Sequence, residues 1–148
     1  MEAIIFIGIQ ASGKSTFYKE NFFNTHVRIS NDLLKTKHRE ELLLEYCNSA
    51  QMSFVLDNTN VTRQVRANYI NIIKQMKIPI RGYYFKSDIK QALLWNKTRY
   101  GKEAIPEKGI FSTHKKLELP SIAEGFTNLF YVEIVNGKFI IKDWQNEV

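Results

Sequence analysis

Short apolar runs alternate along the chain with longer stretches in which apolar residues return every three or four positions. Ala3 to Ile9 (AIIFIGI) is almost continuously apolar, the pattern of a central strand buried on both faces. His26 to Ser30, Ser53 to Leu56, Ile78 to Phe85 and Leu129 to Val135 read as further strands, the fourth carrying Pro79 near its start. Between them, Ser15 to about Phe23, Asn31 to about Ala50, and the series Val61, Val65, Tyr69, Ile72, Ile73 and Met76 predict helices. Ile89, Ala92, Leu93 and Asn96 predict another, with Lys90 and Lys97 on its other face, and Glu107 to about Leu117 predicts the last. Asn136-Gly137 reads as a tight turn leading into Lys138–Lys142, a terminal hairpin. Strands alternating with helices predict an α/β fold in three layers, a central, mainly parallel sheet of about five strands flanked by helices.

The first strand runs into Gly8-Ile9-Gln10-Ala11-Ser12-Gly13-Lys14-Ser15, which fits G-x-x-x-x-G-K-[ST] in the required setting, after a strand and before a helix. Gly8 and Gly13 permit backbone geometry that a β-carbon would obstruct, so successive amides, those of Ala11 and Ser12 included, turn into a phosphate-sized hollow. The helix that follows, from Lys14, Ser15 and Thr16 onward, points its positive end at the same anion. Lys14 reaches β- and γ-phosphates, and the Ser15 hydroxyl can ligate Mg²⁺. Gln10-Ala11 stands where many kinases have Pro-Gly, which changes no required residue.

The residues beyond this loop narrow the class. The third strand ends Val55-Leu56-Asp57-Asn58, without the Glu with which hydrolytic ATPases activate water. Asn96-Lys97-Thr98-Arg99 lacks the Asp of a guanine-reading motif. Phosphoryl transfer to an acceptor hydroxyl needs neither; it needs a base, Mg²⁺ and cations around the transferring group. Asp32 follows the second strand at the edge where ligands of open α/β sheets lie. It is a candidate base, although Ser30, Asn31 and Asp32 are all good helix caps. Asp57-Asn58-Thr59-Asn60, placed right at the strand's carboxyl end, favours a site in which Asp57 holds a Mg²⁺ water and the asparagines place ligands, with turn chemistry as the alternative. Arg99 precedes the break Gly101 to Pro106, which resembles a small lid (about 99–108); a solvated helix end, where basic residues are favoured anyway, is the alternative reading. His26, His38 and His114 show no metal spacing.

Composition adds bounds. At 148 residues the chain is expected to form one domain, 1–148, with no need of a disulfide or metal staple. Cys47, the only cysteine, has no intrachain partner, and a reducing, cytoplasmic setting is expected. Met1-Glu2-Ala3 has no basic segment, so no signal peptide is expected, and no apolar run approaches the ~20 residues of a membrane span. The net charge of +6 is uneven: −1 over residues 1–60, +9 over 61–120 and −2 over 121–148. Such a basic segment suits an anionic partner or a solvated surface.

Five segments carry a resemblance to a known family: GIQASGKSTF, ISND, DNTNVTRQVRANYI with Arg66 and Tyr69, NKTRYGKEAIP, and LELPSIAEGF. Over roughly residues 3 to 135 the chain resembles the kinase domain of polynucleotide 5′-hydroxyl kinases, of the phage type and of the animal kinase/phosphatase. The 25-residue spacing from Asp32 to Asp57 also resembles the animal enzyme. The resemblance implies ATP and Mg²⁺ on the phosphate loop, Asp32 as general base on a 5′-hydroxyl end of DNA or RNA, and Arg99 on the transferred phosphate. It implies acceptor contacts from Lys35, Arg39 and Arg66. Ser30-Asn31-Asp32 departs from the family's Arg-Asp or Asn-Arg-Asp, and Trp95 and Lys35 stand where phage members have arginines. By its length the chain is expected to carry no phosphatase, ligase or forkhead-type domain, which partner repair proteins would supply. A small-molecule kinase of the zeta-toxin kind and a non-catalytic ATP-binding adaptor are the alternatives. A wide basic groove beside Asp32 is expected for a polymer acceptor, and a closed apolar pocket for a small one.

Overall fold

The computed structural model describes residues 1–98 and 105–145. In chain order the elements are β1 (Ala3–Ile7), α1 (Lys14–Asn21), β2 (Val27–Ile29), α2 (Asn31–Leu34), α3 (Lys37–Ala50), β3 (Phe54–Leu56) and α4 (Arg63–Gln75). There follow β4 (Ile80–Phe85), α5 (Ile89–Asn96), α6 (Glu107–Lys116), a 3₁₀ turn at Ile122–Glu124, β5 (Asn128–Val135) and β6 (Lys138–Asp143). The strands make one six-stranded sheet in the order β2-β3-β1-β4-β5-β6. All neighbours are parallel except the β5–β6 hairpin, in which Val135 pairs with Lys138 across Asn136-Gly137. No helix among the described residues is long and apolar enough to cross a membrane.

β1 occupies the middle, and every one of its residues is buried. Its alternate side chains feed two cores. Ala3, Ile5 and Ile7 pack with Leu44 and Cys47 of α3 and with Tyr69, Ile70 and Ile73 of α4. Ile4 and Phe6 pack on the opposite face with Phe17 and Tyr18 of α1. That second core is mostly aromatic, with Phe6 and Phe85 at 5.0 Å and Phe17 and Phe139 at 5.0 Å between ring centroids. Helices on both faces give the three layers expected. Ile9 and Ala11 of the phosphate loop join a third cluster with Ala92 and Ile110, which seats the loop on α5 and α6.

Two expectations need correction. The helix read from Asn31 to Ala50 is two helices, because Lys35 takes a left-handed conformation (φ 72°) and the Thr36 hydroxyl accepts from the Arg39 amide to cap a new start at Lys37. The buried stripe of α4 is Arg66, Tyr69, Ile70 and Ile73, while Val65 and Ile72 face solvent.

Arg66, fully buried, is therefore not placed to meet an acceptor. Its guanidinium donates to both carboxylate oxygens of Glu124 (2.8 and 3.2 Å) and to the Asn60 carbonyl (3.0 Å). Glu124 in turn accepts from the Ser121 amide at 2.8 Å, closing a capping box on the 3₁₀ turn. Gly125 follows at φ +123°, with Ile70 and Lys74 so close that a β-carbon would meet them at 2.9 Å. The segments VRANYI and IAEGF are thus one brace between α4 and the strand that follows.

At the opposite end of the sheet from the phosphate loop, Glu2 contacts His26 (2.8 Å) and accepts from Arg81 (3.0 and 3.2 Å). Burial works to raise the Glu2 carboxyl, but these bonds outweigh it and hold the group below its ordinary 4.5.

Breaking the Arg66–Glu124 pair leaves a carboxylate only 14% exposed without its counter-charge. Arg66→Ala is expected to cost about 3–5 kcal/mol of unfolding free energy in urea titration, with no rescue by lysine, which cannot bridge two oxygens and a carbonyl. The depressed Glu2 pKa stabilises the fold above pH 4.5 and ceases to do so as pH falls through the lowered value. Glu2→Gln should therefore flatten the decline of thermal stability below pH 4.5, a difference visible in melting curves from pH 6 to 3.

Candidate active site

The carboxyl ends of β1, β2 and β3 converge on one cleft of about 290 Å³. Parallel pairing of Ile5 with Leu56, and of Leu56 with Ile29, sets the three ends side by side. Each strand then delivers its following residues to the same edge.

β1 delivers the phosphate loop. Its turn needs a positive φ at Ala11 (56°) and at Gly13 (98°). At Gly13 a β-carbon would also approach Ile134 at 3.0 Å and Phe139 at 3.1 Å. Gly8 is crowded differently, with the Phe85 β-carbon and the Ser12 hydroxyl each 3.1 Å from where its own β-carbon would lie. The Gly8 amide donates to the Thr59 carbonyl (2.9 Å), and Asn60 Nδ2 donates to the Phe6 carbonyl (2.8 Å), so the loop's first residues are tied to the end of β3. Lys14 bends back over the hollow to the Gly8 and Ile9 carbonyls at 3.0 and 2.6 Å. Gln10 donates to Thr113 of α6 at 2.9 Å, and so anchors the loop from its other side.

β3 delivers Asp57, buried, and Asn58. Ser15 Oγ donates to Asp57 Oδ2 at 3.3 Å. A carboxylate and a hydroxyl at the mouth of a phosphate loop are hard oxygen donors, the set that Mg²⁺ takes when phosphates and waters complete its shell. Among the described residues no cluster of three His, Cys, Asp or Glu offers an all-protein metal cage.

β2 delivers Arg28 and, past its end, Asn31 and Asp32. The cap of α2 is Asn58, whose Oδ1 accepts from the Asn31 amide at 2.8 Å, while Ser30 makes no side-chain cap bond. Asp32 is therefore not spent as a cap; it is exposed and lines the cleft together with Lys14, Ser15 and Asp57. Polar and charged residues dominate the cleft's lining, with Ala11 and Ile105 as the apolar members, and its cations Lys14 and Arg28 are matched by Asp32 and Asp57. It matches neither the closed apolar pocket expected of a small-molecule acceptor nor the wide basic groove expected of a polymer.

Of the residues picked from the sequence, Ala11, Lys14, Ser15, Asp32, Asp57 and Asn58 meet in this cleft. Gly8, Ser12, Gly13 and Thr16 shape the loop and the first turn of α1 behind them. Asn60, buried and with φ 46°, is a backbone tie rather than a ligand contact. Lys35 and Arg39 are exposed outside the cleft lining, and the Arg39 guanidinium donates to the Leu34 carbonyl (3.1 Å). Arg99 and most of the expected lid lie outside the described residues. Cys47 is buried in the core and its thiol is pushed up to about 11 by burial, which leaves it inert.

One cleft residue was missed. Arg28 Nε donates to Asp57 Oδ2 at 2.8 Å, and Nη2 donates to Ser15 Oγ at 3.2 Å. A charge between Val27 and Ile29, within a strand of a buried sheet, was the available signal.

A family model described as an AAA domain matches residues 4–120. A bifunctional polynucleotide phosphatase/kinase of Schizosaccharomyces pombe is 32% identical over 98% of this chain and 36% of that protein. A putative bifunctional polynucleotide phosphatase/kinase of Acanthamoeba polyphaga mimivirus is 29% identical over 96% of this chain and 35% of that one. The chain thus spans about a third of the length of these curated relatives. Among solved structures, Kti12 of Chaetomium thermophilum in complex with ADP-AlF3 shares the fold with a TM-score of 0.63 at 16% identity, covering 88% of each chain.

The loop's geometry can be tested directly. An alanine at Gly13 would have to hold a conformation that costs an L-residue roughly 1–2 kcal/mol and push Ile134 and Phe139 aside. Gly13→Ala is expected to weaken ADP binding at least about tenfold in calorimetry, with the far-UV spectrum unchanged.

Proposed function

The chain belongs to the AAA-domain family of P-loop proteins, and we propose that it is a single P-loop kinase domain that transfers the γ-phosphate of ATP to the 5′-hydroxyl end of DNA or RNA. The observation that carries this reading is an uncapped aspartate, Asp32, in the same cleft as the phosphate-loop Lys14 and the Ser15–Asp57 pair. The likeness to two polynucleotide phosphatase/kinases over nearly the whole chain supports the choice of acceptor.

In this reading the backbone of Gly8, Ala11, Ser12 and Gly13, with Ser15 and Thr16, cradles the ATP phosphates. Lys14 leaves the loop carbonyls for the β- and γ-oxygens. Ser15 and Asp57 hold Mg²⁺, which would neutralise charge on those oxygens. Asp32 Oδ accepts the proton of the attacking 5′-hydroxyl as the phosphorus–oxygen bond forms and the bond to ADP breaks. Asn58 fixes the Asn31 amide and with it the approach of Asp32. Arg99 would offset charge on the transferred phosphate. Lys35 and Arg39, beyond Asp32, are available to phosphates of the acceptor strand. Such chemistry suits a reducing cytoplasm.

γ-Labelled ATP offered with 5′-hydroxyl DNA, 5′-hydroxyl RNA and mononucleotides tests the proposal. Label is expected on oligonucleotide ends, and its absence from every end would refute the acceptor. Asp32→Asn should lose roughly 10²–10⁴-fold in rate while ADP affinity holds. Asn58→Ala should lower the rate about tenfold through a misplaced base. Oligonucleotide affinity should fall linearly with the logarithm of salt concentration, the slope counting phosphates contacted.

A further inference from the structure

Among the described residues of the cleft, Arg28 is a charged group for which phosphoryl transfer, as laid out above, has no task. Its position is closely determined. Nε lies 2.8 Å from Asp57 Oδ2 and Nη2 lies 3.2 Å from Ser15 Oγ, while Ser15 Oγ itself reaches Asp57 Oδ2 at 3.3 Å. The three side chains come from β2, the phosphate-loop helix and the end of β3, and close a triangle. The Asp57 side chain is 1% exposed and that of Arg28 is 29% exposed. A carboxylate so buried needs a counter-charge, and Arg28 supplies it from the open side of the cleft.

The same oxygens are those assigned to Mg²⁺. A cation ligated by Ser15 Oγ and served by Asp57 would draw on the same two side chains that already accept from a guanidinium. Two cations held against one carboxylate repel each other at this distance, so each weakens the hold of the other. Resting on the assignment of Ser15 and Asp57 as the metal-holding pair, we propose that Arg28 and Mg²⁺ are alternative partners of that pair. Arg28 thereby sets the Mg²⁺ concentration at which the chain takes up nucleotide. Free Mg²⁺ must displace the guanidinium without compensation. Mg²⁺ arriving with a nucleoside diphosphate or triphosphate brings phosphate charge that the displaced guanidinium can face. The exchange favours the metal–nucleotide complex over either component alone.

Calorimetric titration of ADP across a series of Mg²⁺ concentrations, with no acceptor present, reads this directly. In the parent chain the ADP affinity should rise with Mg²⁺ through a definite midpoint. In Arg28→Met that midpoint should move down about tenfold, the scale of one charge-assisted hydrogen bond removed. In Arg28→Lys, which keeps the charge and loses the two-point contact, it should move less. Thermal melting adds a second readout: Arg28→Met should melt lower than the parent without Mg²⁺ and recover with Mg²⁺ and ADP. Should Arg28→Met fail to fold, Arg28→Lys and its smaller downward shift carry the test. A midpoint unchanged or raised in the variants overturns the exchange and leaves the metal-holding pair standing. A parent chain whose ADP affinity ignores Mg²⁺ overturns the pair and the exchange together.

Discussion

Everything in the site depends on the burial of β1 between two parallel neighbours. A strand apolar on both faces has one stable place in an α/β protein, the middle of the sheet. Once Ala3, Ile4 and Ile5 are in register with Phe54, Val55 and Leu56, the ends of β1 and β3 are level. Gly8 then lies against Thr59, and Asn60 against Phe6. Because β3 is also in register with β2, Arg28 and Asp32 come to the same edge. No long-range charge attraction is needed to assemble the cleft; hydrophobic burial places it, and short polar ties trim it.

The ties explain what could be read beforehand. The phosphate loop was legible because its glycines answer to a local demand: a hollow of amides needs positive φ and close approach whatever surrounds it. Asp57 and Asn58 were legible because they end a strand. Asp32 was ambiguous for a physical reason. Whether an aspartate at a helix start is spent on capping depends on whether another group caps that helix first. Here Asn58, reaching from β3, does so. The break at Lys35 and Thr36 was masked by the apolar residues on either side, which satisfy helical spacing across a junction that a threonine cap interrupts.

Arg66 shows the opposite failure. An arginine on the helix after a candidate site invites the reading of a phosphate contact. The helix has instead turned that face inward, and Glu124 neutralises the guanidinium from 58 residues away in sequence. VRANYI and AEGF were two of the segments on which the resemblance rested. Their co-occurrence is the mark of one buried ion pair with its capping box and its left-handed glycine. Such a brace identifies an architecture and is silent about the acceptor. The evidence for the acceptor has to come from Asp32 and its surroundings.

The same distinction changes the meaning of the uneven charge. The segment 61–120 carries a net +9, yet Arg66 is consumed by Glu124 and Arg81 by Glu2, neither in the cleft. Arg28, which does lie in the cleft, belongs to the segment whose net charge is −1. A sum over sequence neighbours cannot locate a binding cation in a parallel sheet, where each crossover carries the chain away before returning it to the same edge. What locates it is strand phase: β2 is held level with β1 through β3, and near its carboxyl end Arg28 turns to Asp57, past the end of β3, and to Ser15 of the phosphate-loop helix. Within the same few ångströms the fold thus places a buried carboxylate, its counter-ion and a hydroxyl bonded to both.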